Sequence, residues 1–223
     1  ANAAKGLVDN VINMEGVTTV SSVEQKGGKI VLKGGESGTV RVAGELDASG
    51  TDGGSVDIRG RDIEVTQNAS VDASARANGD GGRIIAFAER NGFYAGDFLA
   101  TGGAHSGDGG FIEVSGKYLK VFDSAQFSTL SQGGQTGTLL FDPDNLVVKD
   151  TGGSGGTFDV SGGEAILSSL SSDPDQENET ISNTKVQDQL ENNNVILEAK
   201  DSISIEAEIN TSSQTNSNTL SLN

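Results

Sequence analysis

The feature that most limits what this chain can fold into is a self-match at a fixed step between residues 52 and 138. Asp-Gly-Gly occurs at Asp52-Gly53-Gly54, Asp80-Gly81-Gly82 and Asp108-Gly109-Gly110, and the steps from Gly53 to Gly81 and from Gly81 to Gly109 are each 28 residues. A further step of 28 lands on Gly137, within Thr136-Gly137-Thr138. Each glycine start leads into an alternating run: Ser55-Val56-Asp57-Ile58, Arg83-Ile84-Ile85-Ala86 and Phe111-Ile112-Glu113-Val114. A constant period of this size marks stacked units, none of which buries its own apolar face alone.

Each unit carries three strand patterns. In the unit starting at Gly53 they are Val56 to Ile58, Ile63 to Val65 and Val71 to Ala73, separated by Gly60-Arg61 and Gln67-Asn68. Apolar and polar residues alternate within them, as in strands with one buried face. The period predicts four inward columns: Val56, Ile84 and Ile112; Ile58, Ala86 and Val114; Val71, Leu99 and Phe127; Val65, Phe93 and Val121. The column of Ile63 and Leu119 is interrupted by Asn91. Gly34, Gly60 and Gly116 recur at one offset, with Ala88 as the exception, and corner glycines of this kind are expected to bend the chain, often with φ above zero.

Three strands, three bends and like residues on successive turns define an all-β fold, a parallel β-helix with three strands per coil. With strands about 4.8 Å apart, the five coils between Gly27 and Asp150 are expected to form a rod of about 24 Å. A β-sandwich would show hairpin turns and no such self-match, and a propeller blade needs four strands and about 40 residues. Composition agrees: 32 glycines, 2 prolines and 4% aromatic residues suit many bends and a core of Val, Ile, Leu and Ala. With no cysteine, disulfides, thiolate zinc sites and cysteine nucleophiles are excluded. The net charge of −17 argues against nucleic acid as a partner. No apolar run approaches the 18 or so residues of a membrane span.

Three regions follow. Residues 1–150 read as coils, with an opening coil over Ala1 to Lys26, a clear first unit over Gly27 to Asp52, and a proline turn at Asp142-Pro143-Asp144-Asn145. Residues 151–193 break the period as an irregular, partly helical excursion. Ser161-Gly162-Gly163-Glu164 has capping-box spacing ahead of Ile166, Leu167 and Leu170, and a second short helix is expected over Lys185 to Glu191. Residues 194–223 resume as coils, with strands at Val195-Ile196-Leu197, Ile203-Ser204-Ile205, Glu208-Ile209 and Thr219 to Leu222. The absence of a charged and apolar leader and the pattern continuing to the last residue suggest a piece of a longer chain.

Several stretches resemble a known family. They are Asn10-Val11-Ile12-Asn13 with Gly16-Val17, Gly27-Gly28-Lys29-Ile30-Val31-Leu32, Gly44 to Gly50, Asn194 to Ala199 and, most specifically, Leu140-Phe141-Asp142-Pro143-Asp144-Asn145-Leu146. Across nearly the whole chain the sequence resembles the filamentous haemagglutinin-like and high-molecular-weight adhesin exoproteins of bacterial two-partner secretion. The resemblance implies a right-handed β-helix, export to the surface of a Gram-negative cell, and roles in adhesion or biofilm. It also implies an outer-membrane two-partner transporter that recognises an amino-terminal secretion domain. The Asn-Pro-Asn signatures of that domain are absent here, so no residue of this chain inherits transporter recognition. The implied partner at the destination is a host or bacterial surface receptor or glycan.

Catalytic constellations are sparse, and no enzyme activity is expected. His105 is the single histidine, in the glycine-rich stretch Gly102 to Gly107, without a sequence-evident orienting partner. Asp57, Glu113 and Lys117, or Arg61 and Lys33, fit a β-helix polysaccharide lyase or hydrolase only if they cluster, and outward charges are ordinary on solvated strands. An inert stalk of a toxin-delivery or haem-acquisition exoprotein is the other alternative. Asp52, Asp80 and Asp108 are expected to stack at one corner. Each suits capping of its Gly-Gly turn, and together they form a candidate column for a divalent cation such as Ca²⁺, although no cofactor is required by the sequence. Asn68, Asn178 and Asn210 begin Asn-x-Ser/Thr sequons and are candidate glycosylation sites.

Overall fold

The computed structural model describes residues 22–26, 28–34, 38–150, 180–212 and 217–223. The chain forms a parallel β-helix of about six turns. One wall contains, in spatial order, β1 (Ser22–Lys26), β2 (Lys29–Lys33), β5 (Ser55–Val65), β7 (Arg83–Tyr94), β9 (Phe111–Val121), β11 (Thr138–Pro143), β14 (Asn194–Leu197) and β16 (Leu220–Leu222), with β3 (Thr39–Val42) beside β5. A second wall stacks β4 (Glu45–Asp47), β6 (Ser70–Asp72), β8 (Asp97–Leu99) and β10 (Gln126–Ser128). A third contains β12 (Asn145–Lys149) between β13 (Thr180–Ser182) and β15 (Ser202–Ile205). The first two predicted strands of a coil are one long strand, β5, β7 or β9, that runs through the corner at Gly60, Ala88 or Gly116.

The glycine repeat works by absence of bulk. A Cβ on Gly54 would meet the carbonyl oxygen of Gly28, and likewise Gly82 against Gly54, Gly110 against Gly82, and Gly137 against Gly110. This approach lets the following N–H donate to the turn before: Ser55 to Gly28, Arg83 to Gly54, Phe111 to Gly82 and Thr138 to Gly110, each at 2.9 Å. The expected positive φ is not the reason for the repeat, because among the described glycines only Gly28 (φ 76°) and Gly107 (φ 107°) have it. Gly28 turns the chain between β1 and β2, which pair antiparallel. The described part of the expected opening coil is therefore a hairpin arm. Two residues between strands suffice for a hairpin but not for a parallel crossover. Residues 1–21 lie outside the described residues.

Two of the predicted columns hold unchanged. Val56, Ile84 and Ile112 are in register, extended by Ile30 below and Leu139, Val195 and Leu220 above. Ile58, Ala86 and Val114 likewise stack, and all six of these inner side chains are fully buried. The third coil departs from the fixed step. An extra residue follows Ala88, so Tyr94 rather than Phe93 stands between Val65 and Val121, and Gly92 rather than Asn91 between Ile63 and Leu119. The corner that follows is two residues shorter, which puts Phe98 rather than Leu99 between Val71 and Phe127. One residue more before Ile112 restores the period. The next step is one residue short, so Gly137 sits over Gly110 rather than Gly109.

Gly92 and Tyr94 compensate each other: a Cβ on Gly92 would lie 2.8 Å from the Tyr94 ring, which occupies the place of an aliphatic side chain. The buried Tyr94 hydroxyl lies 2.7 Å from the Ala86 carbonyl oxygen and 2.9 Å from that of Ser115, and burial holds its proton firmly in place. From Tyr94 an aromatic file runs up the core. Phe98 meets Tyr94 edge-on at 5.9 Å and stacks on Phe127 at 5.0 Å, and Phe127 meets Phe141 edge-on at 5.6 Å.

At the top of the second wall a helix replaces a strand. The capping-box segment Ser161 to Leu170 and most of the excursion lie outside the described residues. The excursion returns as β13, which pairs with β12 on the edge opposite β15 and contacts β9. Helix α1 (Asn183–Asn192) follows, its N-cap Ser182 hydroxyl accepting from the Lys185 N–H at 3.0 Å. It contains the expected helix and packs on β10 through Lys185, Val186, Gln189 and Leu190. Lys185 Nζ donates to the carbonyl oxygens of Asp123 and Ala125. Buried Asn193 donates to the Phe127 carbonyl at 3.1 Å and accepts from Thr129 N–H at 2.9 Å. Two side chains thus satisfy edge groups that a further strand would otherwise cover. The proline turn narrows to Asp144, since Pro143 ends β11, and Glu208-Ile209 lies outside any strand. Among the described residues no helix is long and apolar enough to cross a membrane.

Asn193→Ala takes the partner from the buried Phe127 carbonyl and from the Thr129 hydroxyl, which donates to Asn193 Oδ1 at 2.9 Å, so chemical denaturation is expected to show a loss of about 2 kcal/mol.

Candidate functional site

The outer face of the long wall carries an uneven row. Arg59, Phe87, Ser115 and Asp142 are in register on β5, β7, β9 and β11, and beside them run Gly60, Ala88, Gly116 and Pro143. Ser115 is buried between two larger neighbours, and the small residues Ala88 and Gly116 line a depression in the surface beside it. The resulting cleft has a volume of about 190 Å³ and is walled by Phe87, Glu89, Lys117, Asp142, Asp144 and Lys200. The Arg59 guanidinium lies 5.6 Å from the centroid of the Phe87 ring, on the β5 side. Phe87 is 36% exposed and lines the cleft.

The polar rim is charged and mostly acidic. Lys200 Nζ lies 3.5 Å from Asp144 Oδ2, and Lys117 Nζ lies 5.2 Å from the Tyr118 ring centroid. Asp142 is half-buried, and that burial, with the charges of Glu198, Glu113 and Asp144, pushes its pKa up to about 6. Glu113 accepts from the Ser115 hydroxyl at 3.0 Å and lies 3.9 Å from Arg83. A carboxyl that exchanges its proton near neutrality, beside an exposed ring and two ammonium groups, equips this cleft to hold a small polar molecule.

The residues singled out from the sequence are distributed as follows. Asp57 and Glu113 share an outward row but have Ile85 between them, and Asp57 is engaged by Arg59 at 2.8 Å. Of that set only Lys117 lines the cleft. Lys33 pairs in register with Arg59, two residues before Arg61. His105 is exposed, its N–H bound to the Ala77 carbonyl at 2.9 Å. Asn68 is in an exposed turn between β5 and β6, Asn210 is exposed with its Oδ1 accepting from Ser212 N–H at 2.9 Å, and Asn178 lies outside the described residues. Phe87 and Lys200 carry no local motif, Asp142 and Asp144 stand in the sequence only as residues of the Asp142-Pro143-Asp144-Asn145 turn, and the common place of all four depends on the stacking register.

Asp52, Asp80 and Asp108 do stack at one corner, where the Gly53 and Gly81 N–H groups donate to the Asp80 and Asp108 carbonyls at 2.8 Å. The side chains of Asp80 and Asp108 bridge turns instead of capping their own. Asp80 Oδ1 accepts from Asp108 N–H and Asp108 Oδ1 from Gln135 N–H, both at 2.8 Å. Asp52 lies against Gly79 of the next turn. Among the described residues no group of three or more His, Asp or Glu side chains is placed to hold a metal ion. Elsewhere, Glu64 is fully buried with Arg41 Nε at 3.3 Å; burial raises its pKa and Arg41 draws it back down.

Comparison of the chain with protein-family models, with curated proteins and with solved structures gives no match.

Carboxylates engaged with backbone N–H groups predict superimposable melting curves in millimolar Ca²⁺ and in chelator; a rise in Tm with Ca²⁺ restores the cation column. For Asp142, the folded protein holds the proton to higher pH than the unfolded chain, whose carboxyl titrates near 3.8. The associated stability is therefore fully present below about pH 4 and is lost as pH rises through about 6. Asp142→Asn removes that loss. At pH 7.5 the variant is expected to be about 1 kcal/mol more stable than the parent, after allowance for the partial exposure of the group, with the gain vanishing near pH 4 in parallel thermal melts.

Proposed function

We propose that this chain is a structural and binding segment of a secreted, rod-like adhesin of the two-partner secretion kind, which mediates attachment or aggregation at a bacterial surface. The observation that carries this reading is the stack of about six turns, which suits a spacer that presents its outer face for contacts. A β-helix extends by repetition, with each turn adding about 4.8 Å, so reach and display come from one construction rule. The stretch Leu140 to Leu146, which carries the most specific part of the sequence resemblance, lies where β11 passes into β12 and borders the cleft. The net charge of −17 suits a long solvated surface. The partners on this reading are an outer-membrane transporter during export, engaged outside this chain, and a receptor or glycan at the destination.

A second reading, polysaccharide lyase or hydrolase, has one specific observation in its favour: the proton-bearing Asp142 beside Glu113 and Glu198. Reducing-sugar and unsaturated-product assays on acidic and neutral glycans separate the two, and product formation abolished by Asp142→Asn favours the enzyme. On the adhesin reading, beads coated with the protein are expected to bind epithelial or bacterial cell layers several-fold more than beads coated with an unrelated acidic protein. Equal retention of the two overturns it.

A further inference from the structure

The cleft over Ala88 and Gly116 has a composition that a smooth spacer does not need. An unadorned wall places like side chains on successive turns, whereas this row passes from Arg59 to Phe87, drops to the buried Ser115 and rises to Asp142. The floor is small and uncharged, formed by Ala88, Gly116 and Pro143. One wall is Phe87, whose ring has the Arg59 guanidinium over it, and another is the Asp142 carboxyl group. The volume of about 190 Å³ is that of one compact polar molecule, below the range of drug-sized pockets.

We infer that this cleft binds a single pyranose ring that carries a free amine, an amino sugar, as the glycan contact of the surface module proposed above. The inference rests on that reading for its biological setting, while the chemistry rests on the cleft itself. The apolar face of the sugar lies on Phe87, and its ammonium group is received by the Asp142 carboxylate. Lys117 and Lys200 donate to ring hydroxyls, and Asp144 and Glu89 accept from them. An ammonium fits the electrostatics better than a uronate. The charged groups around Asp142 are Glu89 from β7, Glu113 from β9, Glu198 beyond β14, Asp144 from the same turn, and Lys117 and Lys200 at the rim, so four acidic groups stand against two basic ones. The Phe87 ring adds attraction for a cation through its face.

Asp142 also makes the binding depend on acidity. Above about pH 6 the carboxylate is available to the ammonium, and below it the proton competes.

The test is saturation-transfer NMR and calorimetry on the intact chain, with glucosamine as the probe and glucose, glucuronate and putrescine as comparison ligands. Glucosamine is expected to bind with a Kd on the order of 1 mM, as a shallow one-ring site allows. Glucose is expected to bind at least about fivefold more weakly, glucuronate more weakly still, and glucosamine itself about fivefold more weakly at pH 5 than at pH 7. Phe87→Ala is expected to abolish detectable binding, whereas Asp142→Asn, read by the same titrations, is expected to remove both the amine preference and the pH dependence. No binding of glucosamine at tens of millimolar, preference for glucuronate, equal binding of putrescine, or unchanged binding in Phe87→Ala overturns the inference. If the sugar fails to bind while coated beads still attach to cells, the cleft assignment falls alone; if the sugar binds while the beads do not attach, only the adhesin reading falls.

Discussion

The structure depends on how closely one turn's backbone can approach the next at the Asp-Gly-Gly corner. Where Gly54, Gly82, Gly110 and Gly137 stand, the carbonyl oxygen of the preceding turn occupies the space of a side chain. The approach aligns the 2.9 Å hydrogen bonds that start each long strand, and these set the register of everything after them. Register in turn decides which face of a strand is wet, because a slip of one residue exchanges inside for outside. Apolar burial supplies most of the stabilisation, but the glycine corners determine which residues are buried.

Within those fixed starts the turns tolerate considerable irregularity. The third coil gains a residue after Ala88, loses two before Phe98 and regains one before Ile112, yet its ends meet their neighbours in register. The changes are absorbed by paired adjustments in the core, most clearly the Tyr94 ring over Gly92. The result is an aromatic file in the core, Tyr94 to Phe141. Corners that begin strands are strict, and corners that end them vary in length.

This division explains what was legible in the sequence. The columns of Val56 and Ile58 follow directly after a glycine corner, so a constant step finds them. Val71, Phe98 and Phe127 lie after corners of unequal length, and the same step selects Leu99 instead of Phe98. The cleft was hidden for a related reason. A step of 28 carries Val114 onto Asp142 and would turn that carboxyl inward, whereas the structure pairs Val114 with Phe141. Contraction of a single residue before Gly137 sends Phe141 into the core and Asp142 to the surface. Helix α1 was readable from Val186 and Leu190 four apart, but nothing local announced that Lys185 would serve the turn before β10 and Asn193 the edge of β10 itself. Those bonds join residues 60 or more apart in the chain.

The position of β13 bears on the order in which the upper turns assemble. A solenoid built strictly in chain order lays each strand on the one completed before it. Here β12 precedes β13 in the chain, but β13 lies on the β9 side of β12. The flank of β12 toward β9 therefore stays open until residue 180 arrives, and closure has to work backwards into a slot already bounded above. For a chain delivered gradually from one end, the third wall therefore completes its β9-side edge out of chain order, after β12 is already in place.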